Sequence, residues 1–289
     1  MSWAAGTPDD VVVRGLHAGR PASSARRAAS VLGLLGRFGL ASGWPASAEC
    51  LLDYDMIEGF CVRGCAGTAS STRGTYRSVL YALARPVNGR PGRRPTPFPG
   101  AKPPPPYSPD ERAELAAVAG AQRDAVKRSS ALALVVFGVG AGLRPRELVA
   151  LRGTDVTRHG RQVVVSVSGP AARVVPVTAG YADRAWELAR RAGSDFVFRP
   201  GTADRGYKNF VSSFTRGLAA DPAAPRLSLR RARSSFICHH LAAGTPVPVL
   251  LALTGIAEAG SLARYARQVT GTGSSKGALR ARWRAERTR

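Results

Sequence analysis

Arg144, Arg233 and Tyr265 are residues whose types suit work on a phosphodiester. Without a metal, such chemistry needs cations to neutralise the equatorial oxygens of the transition state, a nucleophile, and a proton donor for the leaving oxygen. A guanidinium meets the first need, because it stays charged and offers a planar fork that matches two phosphate oxygens. A tyrosine hydroxyl meets the second. In a chain with 42 Lys and Arg among 289 residues, however, no single arginine is informative by itself. Order and spacing must carry the information.

Ala141-Gly-Leu-Arg144-Pro-Arg-Glu147-Leu-Val-Ala-Leu-Arg152 is followed by Arg230-Arg-Ala-Arg233-Ser-Ser-Phe through Gly244, then by Leu250-Leu-Ala-Leu-Thr-Gly255-Ile256, with Tyr265 nine residues past Ile256. This series closely resembles the tyrosine recombinases, the phage-integrase and Xer family, over nearly everything after residue 20. The resemblance implies that Arg144 and Arg233 clamp the scissile phosphate and that Tyr265 attacks it. A 3′-phosphotyrosyl bond results, and reversal rejoins the strands. Glu147 falls at the family's acidic position, one helical turn from Arg144, where a carboxylate orients the guanidinium. No cofactor is implied, because the phosphotyrosine conserves the bond energy. The implied partners are double-stranded DNA and further copies of the chain assembled on it, with no small-molecule substrate.

Three family positions depart from the pattern. The catalytic lysine belongs in a β-hairpin turn that here reads Ser168-Gly-Pro-Ala-Ala-Arg173. Arg173 brings charge nearby but is a poor proton donor near neutrality. Lys208, the nearest downstream lysine, lies outside the hairpin. Arg230 replaces the histidine of the family's His-x-x-Arg, and Ile256, which offers no donor, replaces a later His or Trp. Each lost donor of this kind costs roughly 10² to 10³ in rate. Two readings follow: a recombinase or integrase, or a catalytically impaired relative that occupies DNA sites without cutting. A non-specific nucleic-acid binder is the third.

The elements that must position these residues are read from pattern. The run PVNGRPGRRPTPFPGAKPPPP, residues 86–106, holds nine of 21 prolines and reads as an extended, semi-rigid linker that is neither helix nor central strand. Before it, residues 1–85 predict short helices over Ser23–Gly39, Asp53–Cys65 and Thr72–Leu83. This half resembles the family's helical, SAM-like core-binding domain, which grips DNA opposite the catalytic domain, and Arg73 and Arg77 are its expected DNA contacts. After the linker, residues 107–275 form the expected catalytic domain. Ser108-Pro-Asp-Glu opens a helix with a hydroxyl cap and acids in the first turn. A helix is predicted over about Ser129–Val139 and another over Arg144–Leu151. Val163–Val167 and Arg173–Val177 predict a hairpin, and helices dominate from Asp183 onward. The fold class is mainly α with a small β-sheet. Residues 276–289, with six basic residues, one acid and Trp283, read as a basic tail.

The glycines of Gly138-Val-Gly-Ala-Gly142 do not make a nucleotide loop, since no strand precedes them, Leu143 breaks the spacing and no Walker-type lysine follows. Cys50, Cys61, Cys65 and Cys238 lack zinc-site spacing and read as reduced thiols, so no metal is expected. The net charge of +23 points to a polyanion. Asp9 and Asp10 stand where a signal sequence would be basic, and Pro246 and Pro248 break an apolar stretch. A cytoplasmic protein, nucleoid-associated when bound to DNA, is expected rather than a membrane protein.

Overall fold

The computed structural model describes residues 22–270 apart from 93–94, 99–101, 204 and 206–208. The chain divides into two compact units, Met1–Ala101 and Lys102–Arg289, a boundary inside the expected linker. The basic tail and Lys208 lie outside the described residues.

The first unit is helical. Helix α1 (Ala22–Ala41) buries Ala28, Val31 and Leu35 at three- and four-residue spacing, the stripe that one helix face turns to a core. A short α2 (Ala48–Leu51) follows. Asp53 caps α3 (Tyr54–Gly59) by accepting from the Asp55 and Met56 amides. One π-helical turn, Phe60–Gly64, then extends α3 before α4 (Ser70–Asn88). Met56, Ile57, Phe60, Cys61, Leu80 and Ala84 close the core. Helix α4 runs past the expected boundary, through Pro86 to Asn88. A proline in the last turn removes only one bond of the ladder, and the Gly89 amide still closes onto the Arg85 carbonyl at 3.1 Å.

The second unit opens with α5 (Pro109–Gly120), capped as the sequence predicts. The Ser108 hydroxyl accepts from the Glu111 amide, and the Glu111 carboxylate accepts from the Ser108 amide. The long α6 (Ala125–Gly140) is buried continuously from Ala133 to Gly140 and forms the axis of the core. Helix α7 (Pro145–Ala150) leads to a three-stranded antiparallel sheet: β1 (Val156–His159), β2 (Gln162–Val167) and β3 (Arg173–Pro176), in that order. Val165 pairs with Val156 on one side and Val175 on the other, and these three are buried. Strand β1 was not expected from the sequence. Of its four residues only Val156 is buried, so the alternation that marks a strand is missing.

Helix α8 (Ala179–Ala192) covers the sheet, and α9 (Phe210–Arg216) follows. Helix α10 (Leu229–Ala242) packs along α6, then come α11 (Val247–Thr254) and α12 (Ala259–Thr270). Among the described residues no single helix is long and apolar enough to cross a membrane, and no group of three His, Cys, Asp or Glu could hold a metal ion. All four cysteines are free thiols, and Cys61, Cys65 and Cys238 are buried.

Candidate phosphate-binding site

The last carbonyls of a helix have no partner within it. Helix α11 ends at Thr254 and turns through Gly255 in the left-handed conformation at φ 62°, which leaves its final carbonyls facing outward. Three arginines from three elements take them. Arg173 on β3 donates from Nε to the Leu253 carbonyl at 2.8 Å. Arg233 on α10 donates to the Thr254 carbonyl at 2.5 Å and, with its other terminal nitrogen, to the Gly142 carbonyl. Arg144, the residue before α7, donates to the Gly255 carbonyl at 2.6 Å. Cations at a helix C-terminus also complement its dipole.

Glu147 ties the cluster together. Its two oxygens accept from both terminal nitrogens of Arg173 at 2.8 and 2.9 Å, its Oε2 accepts from the Arg144 amide at 2.7 Å, and the Arg144 guanidinium stands 3.7 Å away. Burial pushes the Glu147 carboxyl up, but the Arg173 hydrogen bonds, the Arg144 amide and the charges of Arg173 and Arg233 outweigh it. The carboxyl therefore sits below its ordinary value. Burial first, then the neighbouring Arg144, pulls the Arg233 guanidinium down to about 10. Three guanidiniums share a single carboxylate, an excess of positive charge suited to an anion.

Exposure separates the roles. The side chain of Arg173 is 6% exposed and that of Glu147 10%, whereas that of Arg144 is 39% exposed. Arg144 is therefore the fork open to a ligand, and Arg173 is part of the frame behind it. Tyr265, on α12, is half-buried against the same core, on a helix packed against α10, whose Cys238 thiol reaches the Tyr265 carbonyl at 3.9 Å.

Of the other residues singled out, Arg230 lies exposed one turn before Arg233 on α10, and Ser168 is exposed after β2. Ile256 packs partly buried against the core. In the first unit the expectation for Arg77 has to change. It is 9% exposed, pairs with Glu58 at 2.7 Å, donates to the Thr96 carbonyl at 2.6 Å and stacks 3.7 Å above the Phe98 ring. Its charge is spent in holding the proline-rich segment to α4. Arg73 is half-buried over the same ring at 5.0 Å. The carbonyl end of α11, with Thr254, Gly255 and the partner carbonyl of Gly142, does not stand out in the sequence. The glycine after an apolar helix was the available signal.

No family model and no curated protein matches the chain. Solved structures do. An integrase of transposon Tn1549 in complex with a circular intermediate DNA is 17% identical, with a TM-score of 0.63, over 97% of this chain and 100% of that one. The XerH site-specific recombinase bound to palindromic difH substrate in a post-cleavage complex is 16% identical, with a TM-score of 0.60, over 86% and 75%. A lambda integrase dimer bound to a core site is 14% identical, with a TM-score of 0.58, over 92% and 96%. The chain has the fold of these recombinases.

Proposed function

We propose that the chain is a site-specific DNA recombinase or integrase acting through a 3′-phosphotyrosyl intermediate. The observation that carries this reading is the convergence of Arg144 and Arg233 on the carbonyl end of α11, with Tyr265 on a helix packed against that of Arg233. In this reading the exposed Arg144 fork and the Arg233 guanidinium neutralise the scissile phosphate, with exposed Arg230 reaching the flanking backbone. The Tyr265 oxygen gives up its proton and bonds to phosphorus, the bond to the 5′ oxygen breaks, and that oxygen takes up a proton and leaves as a hydroxyl. Attack by a 5′ hydroxyl reverses the step and releases Tyr265, so no external energy source is consumed. Arg173 and Glu147 position the two guanidiniums and do not touch the phosphate. Copies of the chain assemble on paired double-stranded sites, and Arg73 contributes to backbone contact in the first unit.

A second reading rests on the leaving oxygen. Ser168 stands where the resembled family has its lysine, and Ile256 provides no hydrogen-bond donor. In this reading the protein binds and guards a site without cutting it. Both readings are tested on a duplex selected by the full chain from a random pool and rebuilt as a nicked suicide substrate. A covalent adduct that disappears in Tyr265→Phe supports the recombinase. Specific binding without any adduct would falsify cleavage and leave the site-occupying protein. Binding that shows little preference among competitors at fixed salt rejects both in favour of a non-specific binder.

A further inference from the structure

Gln268 stands three residues, one helical turn, beyond Tyr265 on α12, and its amide nitrogen donates to the Pro103 carbonyl at 2.7 Å. The amide oxygen of the same side chain faces the Cys238 thiol of α10 at 3.6 Å, and that thiol reaches the Tyr265 carbonyl at 3.9 Å. One side chain thus joins the helix of Tyr265, the helix of Arg233 and the proline run.

The run itself is built to be held in this way. Pro103 to Pro106 have no backbone N–H, so their carbonyls are their only polar handles. Three are taken: Pro103 by Gln268, and Pro105 and Pro106 by Arg231 at 3.0 and 3.3 Å. Arg231 also pairs with Glu111 at 2.6 Å and lies 4.1 Å from the centroid of the Tyr107 ring. Tyr107 donates its amide to the Ser235 hydroxyl and its phenol to the Arg226 carbonyl. A polyproline stretch is stiff, and its far end is anchored on α10 by several bonds. Its register along α12 is reported by Gln268.

We propose that Gln268 is a positioning residue, fixing the nucleophile helix to the polyproline segment so that the placement of Tyr265 relative to the helix of Arg233 depends on where that segment lies. The proposal rests on the reading of Tyr265 as nucleophile. Pro103 is the second residue after the boundary between the units, so a shift of the chain delivered from the first unit reaches α12 through Gln268. Cleavage competence is then coupled to how the connecting segment is held.

The test uses the full chain carrying Gln268→Glu, which keeps size and places an oxygen where the Pro103 carbonyl needs a donor, and Gln268→Lys, which restores a donor. Amide exchange is read across α12 in the free protein, with α6 as a control for folding. The single-turnover rate of adduct formation and the Kd for the uncut duplex are read on the same samples. Gln268→Glu is expected to speed exchange in α12 and slow the adduct, each by about tenfold, with Kd within about twofold of wild type and Gln268→Lys near wild type. Wild-type exchange in α12 of Gln268→Glu, a rate that falls only in step with Kd, or a Gln268→Lys protein as impaired as Gln268→Glu overturns the proposal. A wild-type chain that makes no adduct counts against the proposed function, and the exchange measurement still decides whether Gln268 ties α12 down.

Discussion

At the residue scale, Glu147 decides whether the arginine cluster is a site or a repulsion. Its carboxylate answers the Arg173 fork with both oxygens and holds the Arg144 amide, and the Arg173 side chain it answers is only 6% exposed. Removing one partner of a buried pair leaves an uncompensated charge, at a cost of about 3 to 5 kcal/mol. Glu147→Ala is accordingly expected to lose that much in urea unfolding, and Glu147→Gln less, because the amide still accepts one hydrogen bond. The pH dependence has a definite sign. The folded carboxyl is held below its ordinary value, so protons bind the unfolded chain more readily, and the stabilisation is fully present above the unfolded carboxyl value. It is lost as pH falls through that value, about 4.3, toward the lower folded one. Wild type should therefore lose stability more steeply than Glu147→Gln as pH drops from 5 to 3, read as the difference between their urea midpoints. Equal slopes would remove Glu147 from this role.

At the scale of elements, two glycines let Arg144, Arg173 and Arg233 meet at the carbonyl end of α11, and they differ in what surrounds them. Gly142, at φ 60°, offers its carbonyl to Arg233, and a Cβ there would stand 2.4 Å from Cδ1 of the buried Phe236 ring. Gly255, at φ 62°, meets nothing nearer than 3.2 Å, the Arg173 guanidinium. Both alanine variants bear the left-handed cost of roughly 1 to 2 kcal/mol, but only Gly142→Ala adds overpacking against a close-packed ring, about 1 to 3 kcal/mol more. Gly142→Ala should be the less stable of the two in denaturant unfolding, and the reverse order would contradict the packing described. These elements also mark how far the sequence was legible. Apolar spacing sufficed for α1, α6 and the β2–β3 hairpin, and the Ser108 cap for α5, because each signal is local. Strand β1 left no such trace, since three of its four residues face solvent. The pair of Arg173 with Glu147 joins residues 26 apart through a fold that no local pattern encodes, so Arg173 read as spare charge and not as frame. The interior place of Arg77 was hidden for the same reason, because its partner Glu58 lies on another helix and Phe98 beyond the helix end.

For the molecule as a whole, the count of 42 Lys and Arg overstates the cations that DNA can use, because arginines already closed into ion pairs release no counterions when a phosphate arrives. Arg77 with Glu58 and Arg173 with Glu147 belong to that closed set, whereas Arg144 is 39% exposed and stands 3.7 Å from a carboxylate that Arg173 already occupies, which leaves its fork open. Salt dependence distinguishes the two groups, since each phosphate neutralised contributes about 0.9 to the slope of log K against log salt. Arg144→Ala should therefore weaken DNA binding and flatten that slope by about one. Arg77→Ala should leave the slope unchanged and instead lower the stability of the first unit, as Glu58 keeps the Tyr81 hydroxyl but loses its cation, and the Thr96 carbonyl loses its donor. The measurement is a salt titration of binding to one duplex, paired with urea unfolding of each variant. A slope that flattens equally in both would mean that Arg77 opens toward phosphate on binding, and the bond from α4 to the proline-rich segment would then have to break when DNA arrives.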